Sequence, residues 1–153
     1  MPFKIQLTKN KVKGGERGEC AVIGELQLGR EKECFDSSLS YWQPKDYELH
    51  WKKALKRIID GRKKSALIVY MLNPKKASYI FWWPIWRHGN KVYVRNQVLL
   101  LQKLKKKFDE NNPFSSVGAR ETKAEDGESI SEWQISIDEI TKFYKSQWGK
   151  GRV

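Results

Sequence analysis

The sequence is poor in the residues that build metal centres and disulfide frameworks. It has two cysteines and two histidines in 153 residues. Cys20 and Cys34 lack Cys-x-x-Cys spacing, and His50 and His88 lie far from both along the chain. We therefore expect the thiols to be structural or free, the histidines to be satisfied or solvated, and the protein to hold no metal.

Motifs that mark common enzyme classes are also missing. The chain has no P-loop, no nucleotide-binding Gly-x-Gly-x-x-Gly and no nucleophile elbow. A general base must lie within hydrogen-bond reach of the proton that it removes, and neither histidine belongs to a recognisable catalytic pattern. The sequence thus predicts no catalytic residues and no cofactor, and we expect a protein that is not an enzyme.

Long apolar runs are absent as well. The N-terminal sequence "MPFKIQLTKN" lacks the continuous apolar segment of a signal peptide. No stretch approaches the roughly eighteen apolar residues that span a bilayer. We expect a soluble, cytoplasmic protein that forms one domain over residues 1–153. A chain of this length buries roughly two thirds of the surface that it exposes when unfolded.

Positive charge is what the sequence has in excess. Lys and Arg number 30 against 18 Asp and Glu, a formal net charge of +12. Such an excess favours an acidic partner: a nucleic acid, an anionic membrane surface or an acidic protein. The distribution is uneven, because residues 52–64 and 103–107 are basic whereas residues 121–139 are mostly acidic. A protein that binds any polyanion would not need the acidic segment.

The periodicity of apolar residues predicts an α+β fold. Alternation with period two predicts strands at 3–7, 20–28, 36–42, 65–72, 78–86 and 91–99. Helical spacing predicts one helix from about Lys45 to Asp60 and another that Ser136 caps. Strands followed by a helix thus occur twice, which predicts two amphipathic helices packed on antiparallel β-sheets.

A short sequence echo supports this repeat. "SYWQ" at 40–43 and "SEWQ" at 131–134 each stand directly before a predicted amphipathic helix. We expect each of them to end a strand, so that the two halves of the chain are copies of one strands-then-helix unit.

The run "SYIFWWPIWRHG" at 78–89 places five aromatic side chains on one predicted strand. Exposed aromatics beside cations stack nucleobases, aromatic residues anchor protein interfaces, and a strand with two apolar faces fills a core. Both faces of this strand are apolar, which favours the core. We expect Phe81 and Trp83 to be buried under the first helix, and Trp86, nearer a tight hairpin at Gly89, to be partly exposed.

The next strand carries a candidate recognition face. Tyr93, Arg95 and Gln97 alternate with valines and share one side of the strand. Tyr and Arg anchor protein interfaces, and they also serve for stacking and phosphate contacts in nucleic-acid sites. We predict a partner-binding face that consists of these three residues and their neighbours: Trp86, Arg87, Tyr93, Arg95, Gln97 and Arg120.

Several separated blocks of the chain resemble one protein family, the immunity proteins of bacterial contact-dependent growth inhibition systems (CdiI, Enterobacter type). The blocks occur in the same order and at similar spacing: "LSYW" at 39–42, "KDY" at 45–47 with Trp51 and Leu55, "SAL" at 65–67, "KVYVRN" at 91–96 and "DGESISEW" at 126–133. The resemblance extends from about Leu39 to Tyr144. It implies a Whirly-like fold, named after single-stranded-DNA-binding proteins. It also implies that the protein binds and neutralises the C-terminal toxin domain, commonly a nuclease, of a cognate CdiA protein.

The resemblance leaves an alternative open, which is a single-stranded nucleic-acid-binding module. Such a module would also be basic, aromatic and Whirly-like. Whirly proteins carry the run "KGKAAL", however, and "GRKKSAL" at 61–67 shares little with it.

The net charge of +12 departs from what the resemblance to immunity proteins implies, because inhibitors of basic nucleases are often acidic. Either the toxin is acidic around the contact, or apolar and aromatic groups lead the contact.

Overall fold

The computed structural model describes residues 2–13, 20–121 and 131–149. The elements in chain order are β1 (Phe3–Lys13), β2 (Cys20–Leu28), β3 (Glu31–Ser38), α1 (Pro44–Ile59), β4 (Lys64–Tyr70), β5 (Tyr79–His88), β6 (Lys91–Val94), β7 (Gln97–Leu100), β8 (Trp133–Ser136) and α2 (Ile137–Trp148). Two 3₁₀ turns, Leu101–Lys103 and Pro113–Ser116, follow β7. The predicted α+β class with antiparallel sheets and two helices is confirmed, and the Whirly-like label stays a prediction.

Strands β1, β2 and β3 form an antiparallel sheet in that order, here called sheet one. Gly24 of β2 lies opposite Phe35 of β3, whose ring takes the space of a side chain: a Cβ on Gly24 would lie 2.2 Å from Phe35 Cε1. The ring thereby reaches Trp51 of α1, with 5.9 Å between the ring centroids. The prediction of a strand at 36–42 is wrong, because β3 covers Glu31–Ser38. This edge strand begins with charged residues, so the alternation of apolar residues does not indicate where it starts.

The remaining strands form sheet two, in the order β4-β5-β6-β8, with β7 paired to β5 beyond the end of β6. The sequence predicts one strand at 91–99, whereas β6 and β7 are separate. Pro84 explains the break: its carbonyl accepts from the Arg95 amide at 3.1 Å, but proline has no N–H to donate in return. The ladder therefore loses one bond at this point, between β6 and β7.

Both helices begin close to their predicted residues. Pro44 is the first residue of α1, and the Gln43 amide donates to Asp46 Oδ2 at 2.8 Å. Gly61, with φ of +103°, turns the chain after α1. Ser136 Oγ accepts from the Asp138 amide at 3.1 Å and caps α2. Neither α1 nor α2, nor any other helix in the described part of the chain, has the length and apolar character needed to cross a membrane.

The echoed tetrapeptides occupy different positions. Trp42 lies in the connection between β3 and α1, whereas Trp133 is the first residue of β8. The prediction that each tetrapeptide ends a strand is therefore wrong. The first connection is longer because Trp42 packs onto α1, 5.2 Å from the Tyr47 ring. The order of strands and helices still repeats.

Strand β5 lies in the centre of sheet two, and both of its faces are covered for most of its length. Ser65 and Trp83 belong to the helix face, where Ser65 Oγ donates to the Ala54 carbonyl of α1 at 2.8 Å. The opposite face lies under residues 101–121. Buried residues from both sheets and both helices join in one hydrophobic cluster. The core interpretation of the aromatic run is thus correct for Ile80, Trp82, Trp83, Ile85 and Trp86.

Helix α1 covers the outer edge of β4. His50 Nε2 accepts from the Ile68 amide at 2.8 Å, and Trp51 Nε1 donates to the Ile68 carbonyl at 2.8 Å. Two adjacent helix residues thereby satisfy the outward-pointing backbone of one strand residue. Burial, with a smaller contribution from Lys53, lowers the pKa of His50 to about 3, so the ring is neutral and remains an acceptor.

Candidate protein-binding surfaces

The structure brings together five of the six residues of the predicted recognition face. They lie on the opposite face of sheet two or at its margin. The Arg95 guanidinium lies 5.0 Å from the Trp86 ring centroid, and that of Arg120 lies 3.7 Å from the Tyr93 ring centroid. Gln97 is exposed, and its Oε1 accepts from Trp82 Nε1 at 2.7 Å. Stacked cations and rings of this kind contribute about 0.5–2 kcal/mol each.

Glu132 holds this cluster together from within the chain. Its Oε2 accepts from Arg95 Nε at 2.8 Å and from Arg120 Nε at 2.9 Å, and its Oε1 accepts from Arg120 Nη2 at 2.7 Å. Burial acts to raise the pKa of Glu132, but the hydrogen bonds from Arg120 and Arg95 outweigh it and hold that pKa below its usual range. The carboxylate stays ionised and pairs with both cations, so the cluster keeps a net charge of +1.

Arg95 is occupied by its own chain. It is 8% exposed, and besides binding Glu132 it donates to the Glu121 carbonyl. The sequence predicts that Arg95 belongs to a partner-binding face. In the structure its guanidinium already binds a carboxylate and a carbonyl of its own chain. The geometry therefore gives Arg95 the role of tying residues 118–121 to sheet two.

Arg87 does not join this cluster. It follows Trp86 on β5, so it points to the helix face, where Nη1 donates to the carbonyls of Ile58 at 2.7 Å and Ile59 at 3.2 Å. Its placement on the recognition face is wrong for this reason. The cation binds carbonyls of the last turn of α1, which is a stabilising position for positive charge.

The expected exposures of Phe81 and Trp86 are reversed. Trp86 is 6% exposed, and its Nε1 donates to the Gly118 carbonyl at 2.9 Å, so the prediction that it is partly exposed is wrong. Phe81 is half-buried rather than buried. The cause is the segment 101–121, which folds over the opposite face near Trp86. The start of β5 receives no such cover on the helix face.

An apolar patch is open at that end of sheet two. The β7 patch, as we call it, consists of Tyr79 and Phe81 of β5 with Val98 and Leu100 of β7. Val98 is 49% exposed and Leu100 is 43% exposed. The rings of Tyr79 and Phe81 are 5.4 Å apart, and both contact Tyr70, at 6.5 Å and 5.2 Å between centroids.

A cleft of about 300 Å³ adjoins the β7 patch and separates it from the edge of sheet one. It is lined by Cys34, Phe35, Asp36, Val69, Tyr70, Phe81, Trp83, Asn96 and Val98. None of these lining residues is Lys or Arg, and Asp36 supplies one carboxylate. The sequence does not predict this surface. The alternation of "QVLL" places Val98 and Leu100 on one face, but nothing local indicates that this face is open.

The cations gather elsewhere, along α1. A shallow groove there is lined by Leu49, Lys52, Lys53, Lys56, Arg57, Asp60, Arg62 and Tyr144. Leu49 is 65% exposed among these positive charges. The described surface therefore has a basic groove along α1 and a cation-free aromatic cleft beside β7, which suit partners of different chemistry.

Comparisons with known proteins identify relatives along most of the chain. The model of the CdiI N-terminal domain family matches residues 37–143. The immunity protein CdiI of Enterobacter cloacae subsp. cloacae is 35% identical over 129 residues, which are 84% of this chain and 88% of that protein. A chain of the solved CdiA-CT/CdiI toxin and immunity complex from Enterobacter cloacae superposes with a TM-score of 0.84 at 33% identity, covering 94% of this chain and 97% of that one.

Proposed function

Because this chain belongs to the CdiI family of immunity proteins, we propose that it binds and neutralises the C-terminal toxin domain of a cognate CdiA protein. The observation that carries this proposal is the similarity to a chain of a toxin and immunity complex over nearly the whole length of both chains. Residues 1–153 would act as one domain, in the cytoplasm of the cell that they protect.

The proposed mechanism is stoichiometric binding and not catalysis. His50 is a poor candidate for a general base, because its Nε2 is committed to the Ile68 amide and its pKa is lowered to about 3. His88 is exposed at a hairpin, beside the Tyr93 ring at 5.8 Å. A binder neutralises one toxin molecule per molecule of protein, whereas an enzyme would inactivate many.

The nucleic-acid alternative has weaker support. Trp82, Trp83 and Trp86 are buried, so they offer no platform on which bases stack. The half-exposed Phe81 lines a cleft without Lys or Arg. A base-stacking site combines aromatic rings with cations that hold the phosphates, and these two features lie on separate surfaces here.

The predicted contact residues divide into two groups under this proposal. Tyr93, Gln97 and Arg120 keep accessible surface on the opposite face of sheet two, and we propose them as secondary contacts away from the centre of the toxin interface. Trp86 and Arg95 are held by hydrogen bonds and ring contacts within the chain, and they would support these three residues without touching the toxin. Arg87 is proposed to stabilise the end of α1 and the hairpin at Gly89, and not to contact the toxin.

Co-expression tests the proposal. Cells that express the toxin domain encoded beside this gene should survive when this protein is present, and an unrelated toxin should kill them as before. Equal killing with and without the protein would refute immunity. With purified components, inhibition should end at one molecule of protein per toxin, and a sharp excess of inhibited toxin over protein would indicate catalysis.

The class of toxin is a further part of the proposal. We infer a nuclease, as the family resemblance implies. Incubation of the purified toxin domain with RNA and with DNA, each with and without an equimolar amount of this protein, checks this inference. Degradation that the protein prevents is the expected result, and a toxin that degrades neither polymer would contradict it.

A further inference from the structure

We propose that the toxin domain docks in the cation-free cleft and on the β7 patch, and that an apolar protrusion flanked by neutral or basic groups of the toxin fills the cleft. This inference rests on the proposed function and adds where the toxin binds and by what chemistry. The β7 patch is the set Tyr79, Phe81, Val98 and Leu100, and the cleft lies between it and β3.

The exposure of apolar side chains points to this surface. Among the described residues, the large hydrophobic side chains that are exposed are Tyr41, Leu49, Val98 and Leu100. Val98 and Leu100 alone are neighbours, since they lie two residues apart on the same face of β7. Tyr41 is engaged through its hydroxyl, which donates to Glu110 Oε1 at 2.6 Å. Contiguous exposed apolar surface marks interaction sites in soluble proteins.

The walls of the cleft are already in place before a partner arrives. Trp83 forms part of the lining at 3% exposure and packs against Trp133, with 5.4 Å between the ring centroids. Phe35 packs edge-on against Trp51. Aromatic rings held in this way lose little conformational entropy when they bind, and Tyr, Trp and Phe are enriched at the centres of interfaces.

The charge distribution around the cleft favours a neutral or basic protein partner. The chain has a net charge of +12, and the groove beside α1 is lined by five cations, which are Lys52, Lys53, Lys56, Arg57 and Arg62. The cleft has no cation in its lining and has the exposed carboxylate of Asp36 at its margin. A neutral or basic protein segment can therefore approach here without repulsion, whereas the phosphates of a nucleic acid would find no counter-ion.

The two free cysteines provide a test on the unmodified protein. Cys34 lines the cleft, and Cys20, which is also exposed but is not part of the cleft lining, is the first residue of β2 and serves as the internal control. Each thiol is alkylated with a small maleimide, with and without a saturating amount of the toxin domain, and the modified peptides are quantified. The toxin should slow modification of Cys34 by about tenfold or more relative to Cys20. A complex in which Cys34 reacts at its free rate would overturn the proposal.

Matched substitutions test the energetics. Val98→Lys combined with Leu100→Lys should weaken toxin binding by about a hundredfold or more, because apolar anchors at the centre of an interface dominate affinity. Leu49→Lys, which introduces the same cation at an exposed leucine on α1, should change affinity by less than about twofold. Circular dichroism on each variant checks that the fold is intact.

A charge reversal separates the local effect from the net charge. Asp36→Lys should weaken binding by about tenfold, and Glu48→Lys, the same change on the exposed side of α1, should leave it nearly unaltered. Equal affinities for Asp36→Lys, the double Lys variant and the wild type would overturn the docking site while leaving immunity intact. A wild-type protein that binds no toxin would instead refute the proposed function itself.

Discussion

The two ends of β5 show how differently one sheet can use its aromatic residues. Near the hairpin, Trp86 is covered by Arg95 and donates to the Gly118 carbonyl, so this end is closed. At the start of the strand, Tyr79 and Phe81 lie beside the exposed Val98 and Leu100, so that end is open. At the closed end, polar groups that resemble a recognition site are bonded within the chain and stabilise it. The open end exposes apolar side chains of the kind that the proposed docking surface uses.

The largest difference between the two ends should appear on aromatic truncation. Trp86→Ala should lower the free energy of unfolding by about 3–5 kcal/mol, because it removes a buried ring and leaves the Gly118 carbonyl without its donor. Phe81→Ala should cost only about 1–2 kcal/mol, since Phe81 is only half-buried. Urea denaturation of both variants measures this difference. A greater loss for Phe81→Ala would contradict the assignment of closed and open ends.

The second largest effect on the free energy of unfolding should come from Glu132, whose carboxylate pairs with Arg95 and Arg120 at the closed end. Glu132→Gln should lower the free energy of unfolding by about 2–3 kcal/mol, because the largely buried Arg95 loses its counter-charge. Glu110→Gln is the matched control, since Glu110 accepts from the exposed Tyr41 hydroxyl, and its cost should stay below about 1 kcal/mol. Equal effects of the two changes would mean that the ion cluster adds nothing to the closed end.

Acid should loosen the contact between α1 and β4 through His50, which binds the Ile68 amide and whose ring stacks on Phe114 with 5.8 Å between the ring centroids. Its pKa is about 3 in the folded protein and near 6.5 when unfolded, so the unfolded state binds the extra proton and stability falls as the pH drops below about 6.5. The loss should reach about 2 kcal/mol at pH 5.

The control for this pH effect is His50→Gln, which offers the Ile68 amide a carbonyl acceptor that does not titrate. Denaturation curves between pH 5 and 8 should be flat for this variant and sloped for the wild type. The carboxylates titrate lower, so they contribute little within this range. The same slope in both proteins would show that another group is responsible.

The smallest effect should come from the open end. Val98→Thr keeps the shape of the side chain and replaces a methyl group that solvent already reaches. The free energy of unfolding should change by less than about 0.5 kcal/mol. Thermal denaturation checks this value. A loss of more than about 1.5 kcal/mol would exceed the usual range for surface sites and would indicate that β7 is packed and not open.

The sequence predicts the features of this molecule that depend on neighbouring residues. Apolar residues on both faces of β5 predict a covered central strand, and Pro44 and Ser136 predict the helix starts, because alternation and capping act within a few residues. The hairpin at Gly89 follows from the same local chemistry. The break between β6 and β7 is not predicted in this way, because it depends on Pro84 of the neighbouring strand β5.

Features that depend on distant parts of the chain escape such a prediction. Whether Trp86 or Phe81 is exposed depends on the path of residues 101–121, which has no regular periodicity. Arg95 looks available on its strand, but its partner Glu132 lies 37 residues further along. The open cleft requires that β3 and β7, from different sheets, approach one another, and no sequence pattern reports the distance between two sheets.

The capping of Ile68 by His50 and Trp51 also affects how copies of this protein behave at high concentration. An unprotected outer strand can pair with the same strand of another molecule and begin a continuous sheet. Here the outward N–H and C=O of Ile68 are already bonded to side chains of α1. Another strand could pair with the outer edge of β4 only after α1 had detached from it. One turn of α1 therefore prevents polymerisation through this edge.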